Sequence, residues 1–113
     1  MKADSWNTAS HGPISESAIR ELHRPPDSHR ISPSVYDGGT RFQGTMRYGR
    51  VYVLAGHCAY SFRTNSVRLG PGEFCDLEQG EYDFQVLGGD PCSLVLVWDL
   101  SGFFRSVDGK LPH

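Results

Sequence analysis

Three polar side chains alternate along one stretch of the sequence in a pattern that could do chemistry. Glu81, Asp83 and Gln85 are separated by the aromatic residues Tyr82 and Phe84. Alternate residues of a β-strand point to the same face, so the three polar groups are predicted to share one face. A carboxylate in a partly apolar pocket can serve as a general acid or base. The other interpretation of Asp83 is an exposed or arginine-paired carboxylate at the end of a strand.

Arginine side chains from position 41 onwards offer a different chemistry. Planar guanidinium groups that turn inward in pairs form bidentate sites for a carboxylate or a phosphate. More often, such arginines solvate the faces of strands and protect the edges of sheets. The arginines of this part of the chain include Arg41, Arg47, Arg50, Arg63 and Arg68.

Aromatic side chains could form the walls of a binding pocket. Stacking on a sugar ring or another planar ligand would suit Tyr48, Tyr52, Tyr60, Tyr82 and Trp98, although a core rich in aromatic residues gives the same pattern. His57 and Cys58 are neighbours and therefore point to opposite faces of a strand, which excludes a nucleophilic dyad. His57 is interpreted as a rim residue without chemistry.

The three cysteines are better explained by packing than by reactivity. Cys58, Cys75 and Cys92 lie in or next to apolar strands and form no C-x-x-C pair. Burial in an apolar barrel raises the pKa of a thiol, so such residues behave as small apolar groups. An odd number of cysteines fits a reducing compartment, and the cytoplasm is the simplest expectation.

The elements that must position these residues lie between residues 51 and 98. Short runs of β-branched and aromatic residues alternate there with turns rich in Gly, Pro and Asn. This pattern predicts an all-β, antiparallel sandwich or barrel with little helix. A chain of 113 residues is a single domain by size.

Composition divides the chain into three parts. Residues 1–34 are rich in serine, proline and histidine, and they are predicted to form a partly flexible arm that covers one sheet. Within the arm, residues 15–22 could form a short helix or a single strand, which Pro25 and Pro26 would end. The barrel is predicted over residues 35–105, and residues 106–113 are a polar tail.

Charge and hydropathy argue against several classes of protein. A formal net charge of −2 speaks against a nucleic-acid binder, which is usually basic. No apolar run approaches the roughly 18 residues of a membrane span. The first residues are polar and lack the apolar core of a secretory signal. We therefore expect neither nucleic acid nor a membrane as a partner.

Two sequence motifs resemble those of the cupins. Residues 52–56, Tyr-Val-Leu-Ala-Gly, resemble the end of the first cupin motif. Residues 72–83 match the second motif in the spacing of Gly72, Gly80 and Asp83. The resemblance covers roughly residues 35–100. It implies an antiparallel jelly-roll barrel, or double-stranded β-helix, with a central pocket into which Asp83 points.

Many cupins bind a divalent metal through histidines and a carboxylate, and this sequence lacks those residues at the matching positions. The position of the first-motif glutamate is Gly49. The histidine pair falls on Phe42 and Gly44, or on Gln43 and Thr45 if the spacing is one residue shorter. One remaining carboxylate cannot hold a transition metal against water. The resemblance therefore predicts no metal and no cofactor.

These observations predict a metal-free protein that binds a small polar or anionic molecule in its barrel. A first alternative is an acid/base isomerase, epimerase or cyclase, with Asp83 and Tyr60 as catalytic residues. A second is a structural or interaction module whose barrel is filled, and pocket volume separates it from a ligand binder. Enzymatic activity and a homodimer are both left open. The candidate ligand-binding residues are Arg47, Tyr48, Glu81, Gln85 and Trp98.

Overall fold

The computed structural model describes residues 1–23, 29–47 and 49–99, with the backbone alone for His29 and Asp99. Within these ranges the chain forms nine strands and two short helices. No helix among them is long and apolar enough to cross a membrane. In chain order the elements are β1 (Asp4–Ser5), α1 (Thr8–His11), α2 (Glu16–Leu22), β2 (His29–Tyr36), β3 (Arg41–Met46), β4 (Gly49–Ala55), β5 (His57–Phe62), β6 (Ser66–Leu69), β7 (Glu73–Asp76), β8 (Gly80–Leu87) and β9 (Cys92–Asp99).

The strands form two antiparallel sheets that face each other. The five-stranded sheet has the order β1-β7-β4-β9-β2, and the four-stranded sheet has the order β3-β8-β5-β6. Most connections cross from one sheet to the other, because β2, β4, β7 and β9 lie in the first sheet and β3, β5, β6 and β8 in the second. This is the antiparallel jelly-roll architecture that the sequence predicts.

Glycines allow the backbone to turn where the chain changes sheet. Gly56 joins β4 to β5 with φ +79°, and a Cβ there would overlap the carbonyl oxygen of Pro91. Gly38 lies in the turn between β2 and β3, where a Cβ would overlap the carbonyl oxygen of Gly89. A larger residue at either position would have to displace backbone atoms, because no flexible side chain can move aside.

Apolar side chains fill the space between the sheets. In β5, for example, Cys58, Tyr60 and Phe62 are buried, whereas His57 and Ser61 are exposed. The same alternation in β3, β6 and β8 turns the apolar face of the four-stranded sheet towards the five-stranded sheet. The buried residues of this core are Met46, Val51, Val53, Cys58, Tyr60, Phe62, Val67, Leu69, Cys75, Leu77, Phe84, Val86, Cys92 and Leu94.

All three cysteines are free thiols in the core, as their apolar neighbours predict. A hydrogen bond with the thiol of Cys92, together with burial, raises the pKa of Cys58. Burial likewise raises the pKa of Cys75. These two thiols are therefore poor nucleophiles at neutral pH.

The arm covers the outer face of the five-stranded sheet. Trp6 and Ile19 pack there on Tyr52, Val95 and Val97, and together these residues form a second buried cluster. Ile19 is completely buried although it lies on a helix of seven residues. The described residues consequently form three layers, with the arm outside the five-stranded sheet and none of these residues covering the outer side of the four-stranded sheet.

Residues 15–22 form a helix and not the strand that the sequence also allows. α2 begins after Ser15, whose side-chain oxygen accepts a hydrogen bond from the backbone N–H of Ala18 at 3.1 Å. Such an N-cap satisfies one of the free donors of the first turn. β2 begins at His29, so the last residues of the segment assigned to the arm belong to the five-stranded sheet.

A polar network joins the end of α2 to the sheet beneath it. The Nε2 atom of His23 lies 2.6 Å from the hydroxyl oxygen of Tyr52. Arg50 donates to the same hydroxyl at 3.2 Å and to the two carboxylate oxygens of Asp76 at 2.6 and 3.1 Å. The hydrogen bond with Asp76 raises the pKa of Arg50, and burial raises the pKa of Tyr52. The network therefore holds a charged guanidinium beside a neutral phenol.

Candidate functional site

β8 presents Glu81, Asp83 and Gln85 to solvent on the outer side of the four-stranded sheet. The three side chains share a face, as predicted, but the expectation that Asp83 points into the barrel is wrong. Phe84 and Val86 point inward instead, and each is only 1% exposed. The spacing of the motif predicts where Asp83 lies along the strand but not the sheet face to which it points. That face depends on which alternate set of β8 side chains buries more apolar surface.

Neighbouring side chains occupy the interior positions at which cupins carry metal ligands. A Cβ at Gly44 would lie 2.7 Å from the hydroxyl oxygen of Tyr82. A Cβ at Gly49 would lie 2.5 Å from the sulfur of Met46. Both distances are shorter than a van der Waals contact, so a histidine or a glutamate at these positions would have to displace the phenol of Tyr82 or the side chain of Met46.

The residues present do not fit the metal centre of a cupin. Phe42, at the other inward histidine position, stacks on Phe84 with 4.8 Å between ring centroids. Gln43 and Thr45, the alternative positions, are exposed on the outer face together with Asp83. Among the described residues, no three His, Cys, Asp or Glu side chains are grouped to hold a metal ion. We derive no chemistry through a metal, and metal content itself stays a prediction.

Tyr60 and Asp83 lie on opposite faces of the four-stranded sheet. Tyr60 is 3% exposed and pairs across the strands with Phe84, whereas Asp83 pairs with the exposed Ser61. Burial raises the pKa of the Tyr60 phenol. Because the sheet separates the two groups, Tyr60 cannot act with Asp83 as an acid/base pair.

Two open depressions adjoin on the outer face of the four-stranded sheet. Their volumes are about 580 and about 410 Å³. Gln43, Ser61 and Asp83 line both, because Asp83 pairs with Gln43 on one side and with Ser61 on the other. We call the combined depression the sheet groove. Its other lining residues with exposed or half-buried side chains on this face include Arg41, Thr45, Ala59, Arg63, Glu81 and Gln85.

The floor of the sheet groove is made by small side chains of β5. Ala59 and Ser61 lie on this inner strand of the sheet, between β8 and β6. A longer side chain lies beside Ala59 in the cross-strand register, namely Gln85 on β8. The difference in side-chain length forms the depression, and the central row offers an amide, a carboxylate and a hydroxyl to a ligand.

Charges of both signs line the sheet groove. Asp83 supplies a carboxylate in the central row, Glu81 and Arg63 lie towards one end, and Arg41 lies towards the other. Within the part of the chain that the structure describes, none of these four side chains has a hydrogen bond or ion pair to another residue. Their donor and acceptor atoms are therefore available to a ligand.

The remaining candidate residues lie away from the sheet groove. Arg47 is exposed after the end of β3 and does not line the groove. Trp98 is half-buried and packs against the core between the sheets. Tyr48 lies outside the described residues. The structure thus brings Glu81, Asp83 and Gln85 together, but it does not bring Arg47, Tyr60 or Trp98 to them.

The sequence alone does not indicate that Gln43, Ser61 and Arg63 line one depression with Asp83. A signal for the first two exists, because Gln43 and Ser61 each alternate with inward-facing neighbours. Alternation predicts that each faces outward on its own strand. It does not show that they flank the same carboxylate, since that depends on the strand order and the register.

Comparison with known proteins bears on the fold. No protein-family model and no curated protein matches the sequence. The structure resembles the cupin domain of Cnp3 from Schizosaccharomyces pombe with a TM-score of 0.61 and 12% identity, over 80% of this chain and 69% of that one. A cupin-2 domain containing protein from Shewanella frigidimarina gives a TM-score of 0.53 at 12% identity, over 82% of this chain and 99% of that one.

A designed protein shares the same architecture. A de novo designed double-stranded β-helix gives a TM-score of 0.51 at 15% identity and covers 59% of this chain and 95% of its own. Identities this low show the fold alone, because folds of this kind carry many unrelated functions. The resemblance in the sequence motifs is confirmed at that level, and the protein has the cupin fold.

Proposed function

We propose that this protein is a binding module with a filled core that holds a neutral, hydroxyl-rich small molecule, such as a mono- or disaccharide, in the sheet groove. The observation that carries the proposal is the filled interior at Gly44 and Gly49, where Tyr82 and Met46 occupy the ligand positions of a cupin. An open depression of about 580 Å³ lies instead on the outer sheet face. Binding sites for small molecules commonly have volumes of about 300–1,000 Å³.

The charges of the sheet groove disfavour a ligand that carries only negative or only positive charge. An anion would meet the carboxylates of Glu81 and Asp83, and a cation would meet the guanidinium groups of Arg41 and Arg63. A hydroxyl group can donate to a carboxylate and accept from a guanidinium, so a polyol satisfies both kinds of group. The side-chain amide of Gln43 can both donate a hydrogen bond to a ligand hydroxyl and accept one from it.

The size of the sheet groove favours a small molecule over a protein partner. A stable protein interface buries about 800 Å² on each partner and has an apolar centre. The central row of the groove is polar, and its residues Gln43, Ser61 and Asp83 supply no large apolar side chain. A filled core is also compatible with a module that binds another protein. The two candidate functions therefore differ in whether the outer sheet face binds a small molecule or a protein.

Calorimetric titration with a panel of mono- and disaccharides tests the proposal. We expect at least one sugar to bind the wild-type protein. Asp83→Asn is expected to weaken this binding about 10-fold or more, since a hydrogen bond to a charged group contributes about 1.5–3 kcal/mol. Asp90→Asn removes an exposed carboxylate from the loop after β8 and should leave the affinity unchanged. Absence of binding to every sugar, or equal affinities of wild type and Asp83→Asn, would refute the proposal.

A further inference from the structure

Three side chains of different charge character converge at the end of the sandwich where β5 begins and β6 ends. His57, Arg68 and Glu73 line a depression of about 420 Å³, to which Leu69 and Leu87 also contribute. None of these residues lines the sheet groove. We call this depression the loop-end site.

The imidazole of His57 packs against Gly70. A Cβ at Gly70 would lie 3.0 Å from Cδ2 and 3.1 Å from Nε2 of His57. The ring therefore lies directly against the glycine, and any larger residue at this position would push it away. His57 is exposed on its other side and can donate to, or accept from, a bound molecule.

Glu73 is held beside the same glycine. Its Oε1 atom accepts a hydrogen bond from the backbone N–H of Gly70 at 2.7 Å. The same atom lies 3.6 Å from the position of a Gly70 Cβ, so the carboxylate and the imidazole flank one residue. This hydrogen bond orients the carboxylate and leaves Oε2 as an acceptor towards the depression.

Arg68 supplies a cation on the neighbouring strand. It is exposed on β6 and pairs in register with Ala59, whose small side chain does not cover it. Its guanidinium has no hydrogen bond or ion pair to any residue that the structure describes. An exposed guanidinium without such a partner can bind a carboxylate through two parallel hydrogen bonds.

We infer that the loop-end site binds an amphoteric small molecule of the class of free α-amino acids with an aliphatic side chain. The carboxylate of such a ligand meets Arg68 and His57, and its ammonium group meets Glu73. The aliphatic side chain lies against Leu87, which is half-buried at the edge of the depression. A simple anion is disfavoured by Glu73 and a simple amine by Arg68, so the site selects molecules that carry both charges.

Titration with L-leucine and two matched analogues tests this inference. The analogues are 4-methylpentanoate, which lacks the amino group, and isopentylamine, which lacks the carboxylate. Affinity is measured by calorimetry, and the imidazole resonances of His57 report where binding occurs. We expect leucine to bind at least about 10-fold more tightly than either analogue, because each loses one charge-assisted contact.

Variants assign the contacts. Arg68→Gln and Glu73→Gln should each weaken leucine binding about 10-fold, since each removes one charge while the glutamine of Glu73→Gln can still accept from Gly70. Arg30→Gln, at an exposed position of β2 in the five-stranded sheet, should leave leucine binding unchanged. Gly70→Ala should displace His57 and weaken binding while circular dichroism shows a folded protein.

Three outcomes would overturn the inference. They are an analogue that binds as tightly as leucine, no response of His57 to leucine at millimolar concentration, and wild-type affinity in Arg68→Gln. Because the loop-end site shares no residue with the sheet groove, its failure leaves the proposal for saccharide binding untouched.

Discussion

The phenol of Tyr82 lies against Gly44 on the neighbouring strand, so the glycine is part of the packing of the core. Gly44→Ala adds one methyl group 2.7 Å from the Tyr82 oxygen. We expect it to lower the free energy of unfolding in urea by about 1–3 kcal/mol, the usual cost of overpacking. The loss should shrink when Tyr82→Ala is introduced as well, because the two side chains then no longer compete for space.

Gly89→Ala is the matched control for this substitution. A Cβ at Gly89 meets no atom within 4 Å. Its backbone is also outside the left-handed region, so alanine can be accommodated without strain. Equal stabilities of Gly44→Ala and Gly89→Ala would show that the interior has free space at the position of the cupin ligand.

Tyr60 gives a prediction about alkaline pH. Burial raises the pKa of its phenol, so folding favours the neutral form. The resulting stabilisation is fully present below the unfolded pKa of about 10, and it is lost as the pH rises from there towards the folded value. Tyr60→Phe removes this contribution, so its free energy of unfolding should fall less steeply above about pH 10, by up to ~1.4 kcal/mol per pH unit.

Urea unfolding of both proteins at neutral and alkaline pH measures the difference. At neutral pH we expect Tyr60→Phe to be as stable as wild type or slightly more so, since the buried hydroxyl has no hydrogen-bond partner among the described side chains. Parallel pH curves for the two proteins would show that the phenol is hydrated and not part of the core.

The docking of α2 on the five-stranded sheet depends on a single fully buried side chain. Ile19 is 0% exposed between the helix and the sheet, whereas Leu22 on the same helix is 43% exposed. Ile19→Ala should lower the free energy of unfolding by about 2–5 kcal/mol, and Leu22→Ala by much less. Similar losses for the two variants would mean that the arm does not contribute to the cooperative fold.

Strands and turns could be predicted from the sequence because each depends on local pattern. Gly38 and Gly56 lie at turns where the chain changes sheet, and the buried positions of β5 follow the alternation of its residues. The alternation of β8 also predicted correctly that Glu81, Asp83 and Gln85 share one face. These features need no knowledge of which strands pair.

The direction in which Asp83 points could not be predicted from motif spacing. It depends on whether the odd or the even residues of β8 meet the opposite sheet, and Phe84 and Val86 decide this by burying apolar surface. The sequence also could not predict whether the interior is filled by side chains. A tyrosine that lines a pocket and a tyrosine that fills it give the same sequence pattern. The pairing of Tyr82 with Gly44 on β3 shows that Tyr82 fills the interior.

In the part of the chain that the structure describes, a packed interior is combined with a four-stranded sheet whose outer face is polar and exposed. The arm covers the outer face of the five-stranded sheet with Trp6 and Ile19, whereas the outer face of the four-stranded sheet carries polar and charged groups. A single layer of strands thus separates an aromatic core from the sheet groove. A ligand that cannot enter the core can still bind by hydrogen bonds on that surface.

The most direct test of this account is a map of ligand contacts by nuclear magnetic resonance. Amide shifts and intermolecular Overhauser effects are recorded as the tightest-binding saccharide is added to the isotope-labelled full chain. We expect contacts between the saccharide and Gln43, Ser61 and Asp83 on the outer sheet face, and none between the saccharide and the core. Contacts that cluster on Tyr60 and Phe84 between the sheets would contradict it, because the ligand would then occupy the barrel.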